Sequence, residues 1–257
     1  MRSQGTASTQ LLVLALIVCS CAGARDGGSV MNLEEDDTPV TAATEETNTV
    51  ESELVEYQGL DVSHFQGSVD WPEVLATGYR FAFAKATEGT DYVDPMFATN
   101  WQGMKAAGVV RGAYHFFRAE DDAAAQAELF IATVTLEAGD LPPALDIEIA
   151  DGVSTEGIDQ EITIWLEKVA AAYGVTPIIY SDHTFINANL ATGFSDYPLW
   201  LAEYEEAQAD APDGWNSWTF WQSSQSGKVA GVEGAVDLDT YSGSAQAWAE
   251  LRVPQAQ

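Results

Sequence analysis

Two acidic residues separated by one apolar residue are the first feature of this sequence that could do chemistry. Asp146 and Glu148 stand in the run Leu-Asp-Ile-Glu-Ile. Side chains of a β-strand alternate between faces, so both acids point the same way, while Leu145, Ile147 and Ile149 are expected to pack against an outer layer. Crowded like charges raise the pKa of at least one acid, which can then donate a proton while the other stays ionised. Glycoside hydrolysis requires this division of labour.

Other interpretations of the two acids exist. An isolated pair with this spacing can be a solvated face or a hydrogen-bonded structural pair. Carboxylate clusters also hold Mg²⁺ or Ca²⁺, whereas three scattered histidines give little support to a catalytic zinc site. Two further acids, Asp61 and Asp237, end other apolar runs, and this favours a catalytic cluster.

The elements that must position these acids are short apolar strands alternating with helices, which is typical of parallel pairing with helical crossovers. We predict an α/β fold: an irregular, TIM-like (β/α) barrel with about eight strands and fewer than eight full helices. The predicted strands are 59–62, 80–86, 109–117, 144–149, 176–180, 199–202, 218–222 and 235–238. The predicted helices are 71–77, 95–107, 123–137 and 159–173.

Polar and aromatic residues recur at the predicted ends of these strands, where the loops of such a barrel form its open mouth. The rings there could stack on the flat C–H faces of sugars, and the candidates are strongest where a ring shares its strand position with the acids. The residues predicted at or beside the mouth are Asp61, Tyr114, His115, Asp146, Glu148, Tyr180, Trp200, Glu203, Tyr204, Trp221, Gln222 and Asp237.

The amino-terminal segment is predicted to direct export. Arg2, an apolar run at 11–18 and small residues thereafter follow the order of a secretory signal. Residues 1–20 are the signal if Cys21 is the lipid-carrying first residue of a membrane-anchored lipoprotein; alternatively, cleavage after Ala24 releases a secreted protein. Residues 21–57 are predicted to be a disordered acidic tether, and residues 58–257 to form the barrel.

The composition excludes some functions. The 257 residues carry 40 Asp and Glu against 10 Lys and Arg, a formal net charge of −30. Such a chain has no basic surface for a phosphate backbone, so nucleic acid is not an expected partner. Because 46% of the residues are hydrophobic, a packed core is expected. Both cysteines lie at or before position 21, so no disulfide is expected in the barrel.

Residues 58–248 resemble glycoside hydrolase family 25, the Chalaropsis-type lysozymes. Each of the motifs that carry the resemblance is weak alone, but together they occur in the order typical of that family. They are Gly-Leu-Asp-Val-Ser-His-Phe-Gln-Gly (59–67), Phe-Ala-Lys-Ala-Thr-Glu-Gly (83–89), Gly-Ala-Tyr-His-Phe (112–116), Leu-Asp-Ile-Glu (145–148), Ile-Tyr-Ser (179–181), Leu-Trp-Leu-Ala (199–202), Trp-Gln (221–222) and Val-Asp-Leu-Asp (236–239).

The resemblance implies an enzyme that cleaves the β-1,4 bond between N-acetylmuramic acid and N-acetylglucosamine in peptidoglycan glycan strands, without a metal or other cofactor. Nothing in the sequence suggests an oligomer, so a monomer is expected. Glu148 would be the general acid. Asp146 would activate water or orient the substrate's acetamido group as an internal nucleophile, and Asp61 and Asp237 would complete the acidic site. The implied binding residues are Lys85, Tyr114, Tyr180, Trp200 and Gln222.

Overall fold

A computed structural model of the protein describes residues 53–204 and 206–255. Within these ranges the chain forms nine β-strands and six α-helices. The strands are β1 (Leu54–Val62), β2 (Tyr79–Glu88), β3 (Tyr92–Val93), β4 (Val110–Phe116), β5 (Ala144–Asp146), β6 (Ile178–Asp182), β7 (Leu199–Ala202), β8 (Phe220–Gly227) and β9 (Val236–Ser244). The helices are α1 (Trp71–Ala76), α2 (Phe97–Ala107), α3 (Ala123–Thr133), α4 (Thr155–Tyr173), α5 (His183–Asn189) and α6 (Ala245–Leu251).

The strands close into an irregular barrel, which confirms the predicted fold class. The hydrogen-bonded order around it is β1, β2, β4, β5, β6, β7, β8 and β9, while β3 pairs only with β2 at its side. Strands β1 to β8 of the barrel are parallel, but β9 is antiparallel to both β8 and β1. The expectation of parallel pairing throughout was therefore wrong for β9. The described residues between β8 and β9 contain no helix, and a short connection joins neighbouring strands antiparallel.

Glycines end two of the long helices. Gly108 after α2 and Gly174 after α4 have φ of 83° and 69°, the left-handed conformation that stops a helix. Helix α4 starts four residues earlier than expected, because the Ser154 hydroxyl caps it by accepting a hydrogen bond from the backbone N–H of Gly157. These two kinds of cap set the lengths of the crossovers that bring successive strands into parallel register.

Alternation along the strands divides the core into two clusters. In β2, Phe81 and Phe83 belong to the cluster inside the barrel, whereas Ala82 and Ala84 belong to the layer between strands and helices. Gly59 on β1 leaves room for an inner ring, since a Cβ there would lie 2.3 Å from Phe81. The interior below the mouth is therefore filled with aromatic side chains, and polar side chains occupy only its upper end.

The barrel begins earlier than the sequence indicated. Residues 54–57, expected as the end of the tether, form the start of β1, where Leu54 pairs with Ser244 of β9. The Tyr57 ring lies 5.1 Å from that of Trp248 and 6.1 Å from that of Tyr241. Alternate side chains of this stretch, Val55 and Tyr57, reach the inner cluster, although its sequence continues the acidic run with Glu56. The predicted signal, Cys21 and the tether up to residue 52 lie outside the described residues. Among the residues that are described, no helix is long and apolar enough to span a bilayer.

Candidate active site

The four acids and the five binding residues that the family resemblance implies all line one cavity at the mouth of the barrel. Its volume is about 280 Å³. A larger groove of about 790 Å³, beside α1 and α2, contains none of them. The nine residues in the mouth cavity are Asp61, Lys85, Tyr114, Asp146, Glu148, Tyr180, Trp200, Gln222 and Asp237. The strand ends therefore bring together residues that are up to 176 positions apart in the chain, from Asp61 to Asp237.

Strand β5 positions Asp146 and Glu148, which we call the carboxyl pair. Asp146 is the last residue of the strand and is 5% exposed, whereas Glu148 lies beyond it and is exposed at the mouth. The backbone between them is held because Ile147 donates to the Tyr180 carbonyl at 3.0 Å and accepts from the Ser181 hydroxyl. The predicted strand is thus three residues too long, and the residue after Glu148, Ile149, is 39% exposed instead of packed outside.

Burial raises both pKa values in the carboxyl pair. Desolvation raises the pKa of Asp146 well above its usual range, and the neighbouring Glu148 raises it further. Desolvation also raises the pKa of Glu148, although its interaction with Asp146 lowers it. One buried oxygen of Asp146 has no hydrogen-bond partner among the described residues, so no hydrogen bond stabilises the ionised form at that oxygen. The pair is therefore well suited to hold a proton at neutral pH.

Asp61 and Asp237 face each other across β1 and β9. They are register partners in the antiparallel ladder. Asp237 lies at the start of β9 and not at its end as predicted; because β9 is antiparallel, its start reaches the same mouth as the ends of the other strands. Burial, followed by the charges of Asp239 and Asp237, raises the pKa of Asp61 well above its usual range. Desolvation raises the pKa of Asp237 to about 6.

Gln222 connects this second pair of acids to two tyrosines. Its side-chain nitrogen donates to Asp61 Oδ2 at 2.7 Å. Its carbonyl oxygen accepts from the hydroxyls of Tyr180, at 2.9 Å, and Tyr204, at 2.5 Å. The amide orientation is thus determined by three partners, and Asp61 is held in place by a group that is itself 3% exposed.

The aromatic rings form a floor beneath the acids. Trp200 is 2% exposed and stacks on Phe83 with centroids 4.2 Å apart. Tyr180 and Tyr114 meet the same indole edge to face, at 4.6 Å and 6.2 Å. Tyr180 is 6% exposed, so this floor offers hydroxyls and ring edges to the cavity more than open ring faces.

Lys85 supplies the positive charge nearest to the carboxyl pair. It is the third inward residue of β2 and lies 8% exposed, with Nζ 4.7 Å from the centroid of the Phe116 ring. Its ammonium donates to Glu88 Oε2 at 2.6 Å, and Arg118 contacts the other oxygen of Glu88. Lys85 lowers the pKa of both members of the carboxyl pair. It therefore offsets part of the rise that burial causes.

Two residues predicted near the mouth point elsewhere. His115 alternates with Tyr114 on β4, so its side chain enters the outer layer, where it is fully buried. Trp221 alternates with Gln222 on β8 and packs against the outer core, with its indole nitrogen donating to the carbonyl of Glu203 at 2.8 Å. A shift of one position along a strand reverses the face, and for these two residues the prediction of a mouth position was wrong.

Sequence reasoning missed one acid of the site. Asp239 is fully buried below Asp237, and its Oδ1 accepts from Trp200 Nε1 at 2.8 Å, while Oδ2 has no partner among the described residues. Burial raises its pKa well above the usual range. The signal was present, because Asp237 and Asp239 have the same two-residue spacing as the carboxyl pair.

The comparisons with known proteins agree with this geometry. The model of the family "Glycosyl hydrolases family 25" matches residues 60–232. The uncharacterized protein YegX of Escherichia coli K12 is 42% identical over 193 residues, 73% of this chain and 70% of that protein. Lysozyme M1 of Streptomyces globisporus is 37% identical over 73% of this chain and 68% of its own. The crystal structure of the Streptomyces coelicolor lysozyme has a TM-score of 0.73 at 36% identity, covering 76% of this chain and 96% of that one.

The chain belongs to glycosyl hydrolase family 25. It is a glycoside hydrolase of the lysozyme type, and the cavity that holds the predicted acids lies at the mouth of its barrel. In the described part of the chain, no group of three His, Cys, Asp or Glu side chains is arranged to hold a metal ion.

Proposed function

We propose that this protein hydrolyses the β-1,4 bond between N-acetylmuramic acid and N-acetylglucosamine in peptidoglycan. The observation that supports this most strongly is the convergence of four acids, Asp61, Asp146, Glu148 and Asp237, on one cavity of a family 25 barrel. Each of the four has a raised pKa, mainly because of desolvation. Carboxyls that keep a proton near neutral pH are the groups that cleavage of a glycosidic bond needs.

Glu148 is the general acid in this proposal. It is the exposed member of the carboxyl pair, so its carboxyl can reach the oxygen between two sugar rings in the cavity, whereas Asp146 is buried behind it. The pair retains one proton, which passes through Glu148 to the leaving oxygen as the C–O bond breaks. Asp146 is then left ionised, and either activates the attacking water or orients the acetamido group that attacks from within the substrate.

Asp61 and Asp237 hold the sugar and adjust the pKa values of neighbouring groups. Asp61 is fixed by Gln222. Burial, followed by the neighbouring carboxyl groups, raises the pKa of Tyr114 and Tyr180, so both hydroxyls stay protonated as hydrogen-bond donors. Lys85, Tyr114, Tyr180, Trp200 and Gln222 bind the sugar rings in this proposal.

The test is release of reducing ends from purified peptidoglycan by the chain from Arg25 onward. The Glu148→Gln variant should lose about a thousandfold in rate without a lowered melting temperature, because it keeps the shape of the side chain but removes the acid. Glu128→Gln is the matched control, since Glu128 lies on α3 and pairs only with Lys168 at the surface. Binding of glycan without any shortening of the strands by the wild type would favour a catalytically silent binding protein instead.

We also propose that the chain is exported and acts as a monomer. Residues 1–20 would direct a lipoprotein anchored through Cys21, or cleavage after Ala24 would release the enzyme. The intact mass of the mature protein distinguishes an acylated Cys21 from a free amino terminus at Arg25. Sedimentation of the mature enzyme at several concentrations tests the monomer.

A further inference from the structure

One large apolar side chain at the mouth is almost wholly exposed. Phe65 is 82% exposed and lines the same cavity as the carboxyl pair. It lies in the 3-10 turn His64–Gln66, directly beyond the carboxyl end of β1. Unlike Trp200, whose ring is covered by Phe83, Phe65 keeps nearly all of its surface open to solvent. A ligand that covers such an exposed ring removes apolar surface from water and gains from the contact.

The backbone of this turn is held by a reciprocal cap. The Ser63 hydroxyl accepts a hydrogen bond from the backbone N–H of Phe65 at 3.3 Å, and the Ser63 N–H donates to Gln66 Oε1 at 2.9 Å. Such a capping box fixes the conformation of the turn. The backbone that carries the Phe65 ring is therefore fixed beside the cavity before any ligand arrives.

The ring is also supported from behind by a chain of side chains. His64 lies under it with ring centroids 4.1 Å apart. His64 Nδ1 is 2.8 Å from Asp94 Oδ2 and 3.2 Å from the Tyr92 hydroxyl, and the His64 backbone N–H donates to the same Asp94 oxygen at 3.1 Å. Asp94 is 2% exposed, so the support is anchored in the core. A single exposed apolar residue is ordinary, but one held rigid beside an active site is preorganised for contact.

We propose that Phe65 is a stacking platform for one sugar ring of the glycan strand, outside the two rings joined by the cleaved bond. This inference rests on the proposed function. A glycan strand is linear and must leave the cavity at its rim, where the open face of Phe65 meets the apolar C–H face of a pyranose. Stacking there holds a longer strand without touching the reacting atoms, so Phe65 determines a preference for substrate length.

The experiment compares the mature enzyme with its Phe65→Ala, Phe65→Trp and Ile164→Ala variants. Ile164 is a matched control, since it is 43% exposed and lies on α4. The substrates are long glycan strands, freed of their peptide stems or still carrying them, and a short substrate whose only rings are the two at the cleaved bond. For Phe65→Ala we expect kcat/KM on long strands to fall about tenfold, chiefly through KM, and to change less than about twofold on the short substrate. Phe65→Trp should keep kcat/KM on long strands near the wild-type value, and Ile164→Ala should match the wild type on both substrates.

The outcomes separate this inference from the function on which it rests. If the wild type cleaves neither substrate, the proposed function fails and the platform fails with it. If the wild type cleaves both and Phe65→Ala lowers both equally, or neither, the platform alone is overturned. A loss seen only with strands that still carry peptide stems would assign the ring to the peptide and overturn a sugar as its occupant. Equal melting temperatures of the four proteins verify that the turn still folds.

Discussion

Protonation of His115 should destabilise the barrel in mild acid. The imidazole is fully buried between β4 and the helices, where it stacks on Trp165. Its Nε2 lies 3.0 Å from Gln126 Oε1, and its Nδ1 lies 2.7 Å from the Thr87 hydroxyl. Gln126 Oε1 also accepts the backbone N–H of Arg118, so the network assigns the imidazole proton to Nε2 and leaves Nδ1 to accept from Thr87. A second proton, on Nδ1, would require the Thr87 hydroxyl to turn from donor to acceptor.

The size of the stability loss follows from the pKa of His115. Burial lowers the pKa of His115 from 6.5 to about 4. Because the folded pKa is the lower one, the unfolded chain binds the proton first as the pH falls below 6.5, and folding stability decreases until the pH reaches the folded value. The loss amounts to about 2 kcal/mol by about pH 5 and about 3 kcal/mol by about pH 4.

The assay is urea unfolding, followed by tryptophan fluorescence, of the wild type and of His115→Gln between about pH 7.5 and about pH 4. Glutamine does not titrate, and the site acids are shared by both proteins, so the difference in unfolding free energy isolates His115. The advantage of the wild type over the variant should shrink by about 3 kcal/mol across this range. A difference that stays constant within about 0.5 kcal/mol would refute the argument from burial.

Three other changes test the electrostatics of the barrel. Arg111→Met leaves Asp140 buried without its partner, now at 2.8 Å, and should cost about 3–5 kcal/mol of unfolding free energy, whereas Lys105→Met, which breaks an exposed pair, should cost far less. Asp239→Asn removes a buried carboxylate whose pKa is raised, so it should raise the melting temperature at neutral pH and lose this advantage in acid. Lys85→Met removes a charge that lowers the pKa values of the carboxyl pair, so the pH profile of kcat/KM should move to higher pH; an unmoved profile would contradict that role.

Much of the site could be predicted because it depends on period-two alternation. Each inward residue at the end of a parallel strand reaches the mouth, and this rule located Asp61, Tyr180 and Gln222 correctly. The prediction for Trp221 was wrong because it placed two adjacent residues at the mouth: with Gln222 facing inward, alternation turns Trp221 to the outer layer. Predicting β5 three residues too long has another cause, since nothing local shows where hydrogen bonding to the neighbouring strands ends.

The sequence by itself determined the order of strands and helices, the family resemblance and the carboxylates that could do chemistry, because these depend on residue type and spacing along the chain. Only the tertiary structure decided that β9 is antiparallel and so brings Asp237 opposite Asp61. It also decided which acids are buried, and therefore which pKa values rise, since desolvation depends on neighbours distant in sequence. The exposed ring of Phe65 beside the carboxyl pair is likewise a property of the closed barrel, which brings together the end of β1 and the end of β5.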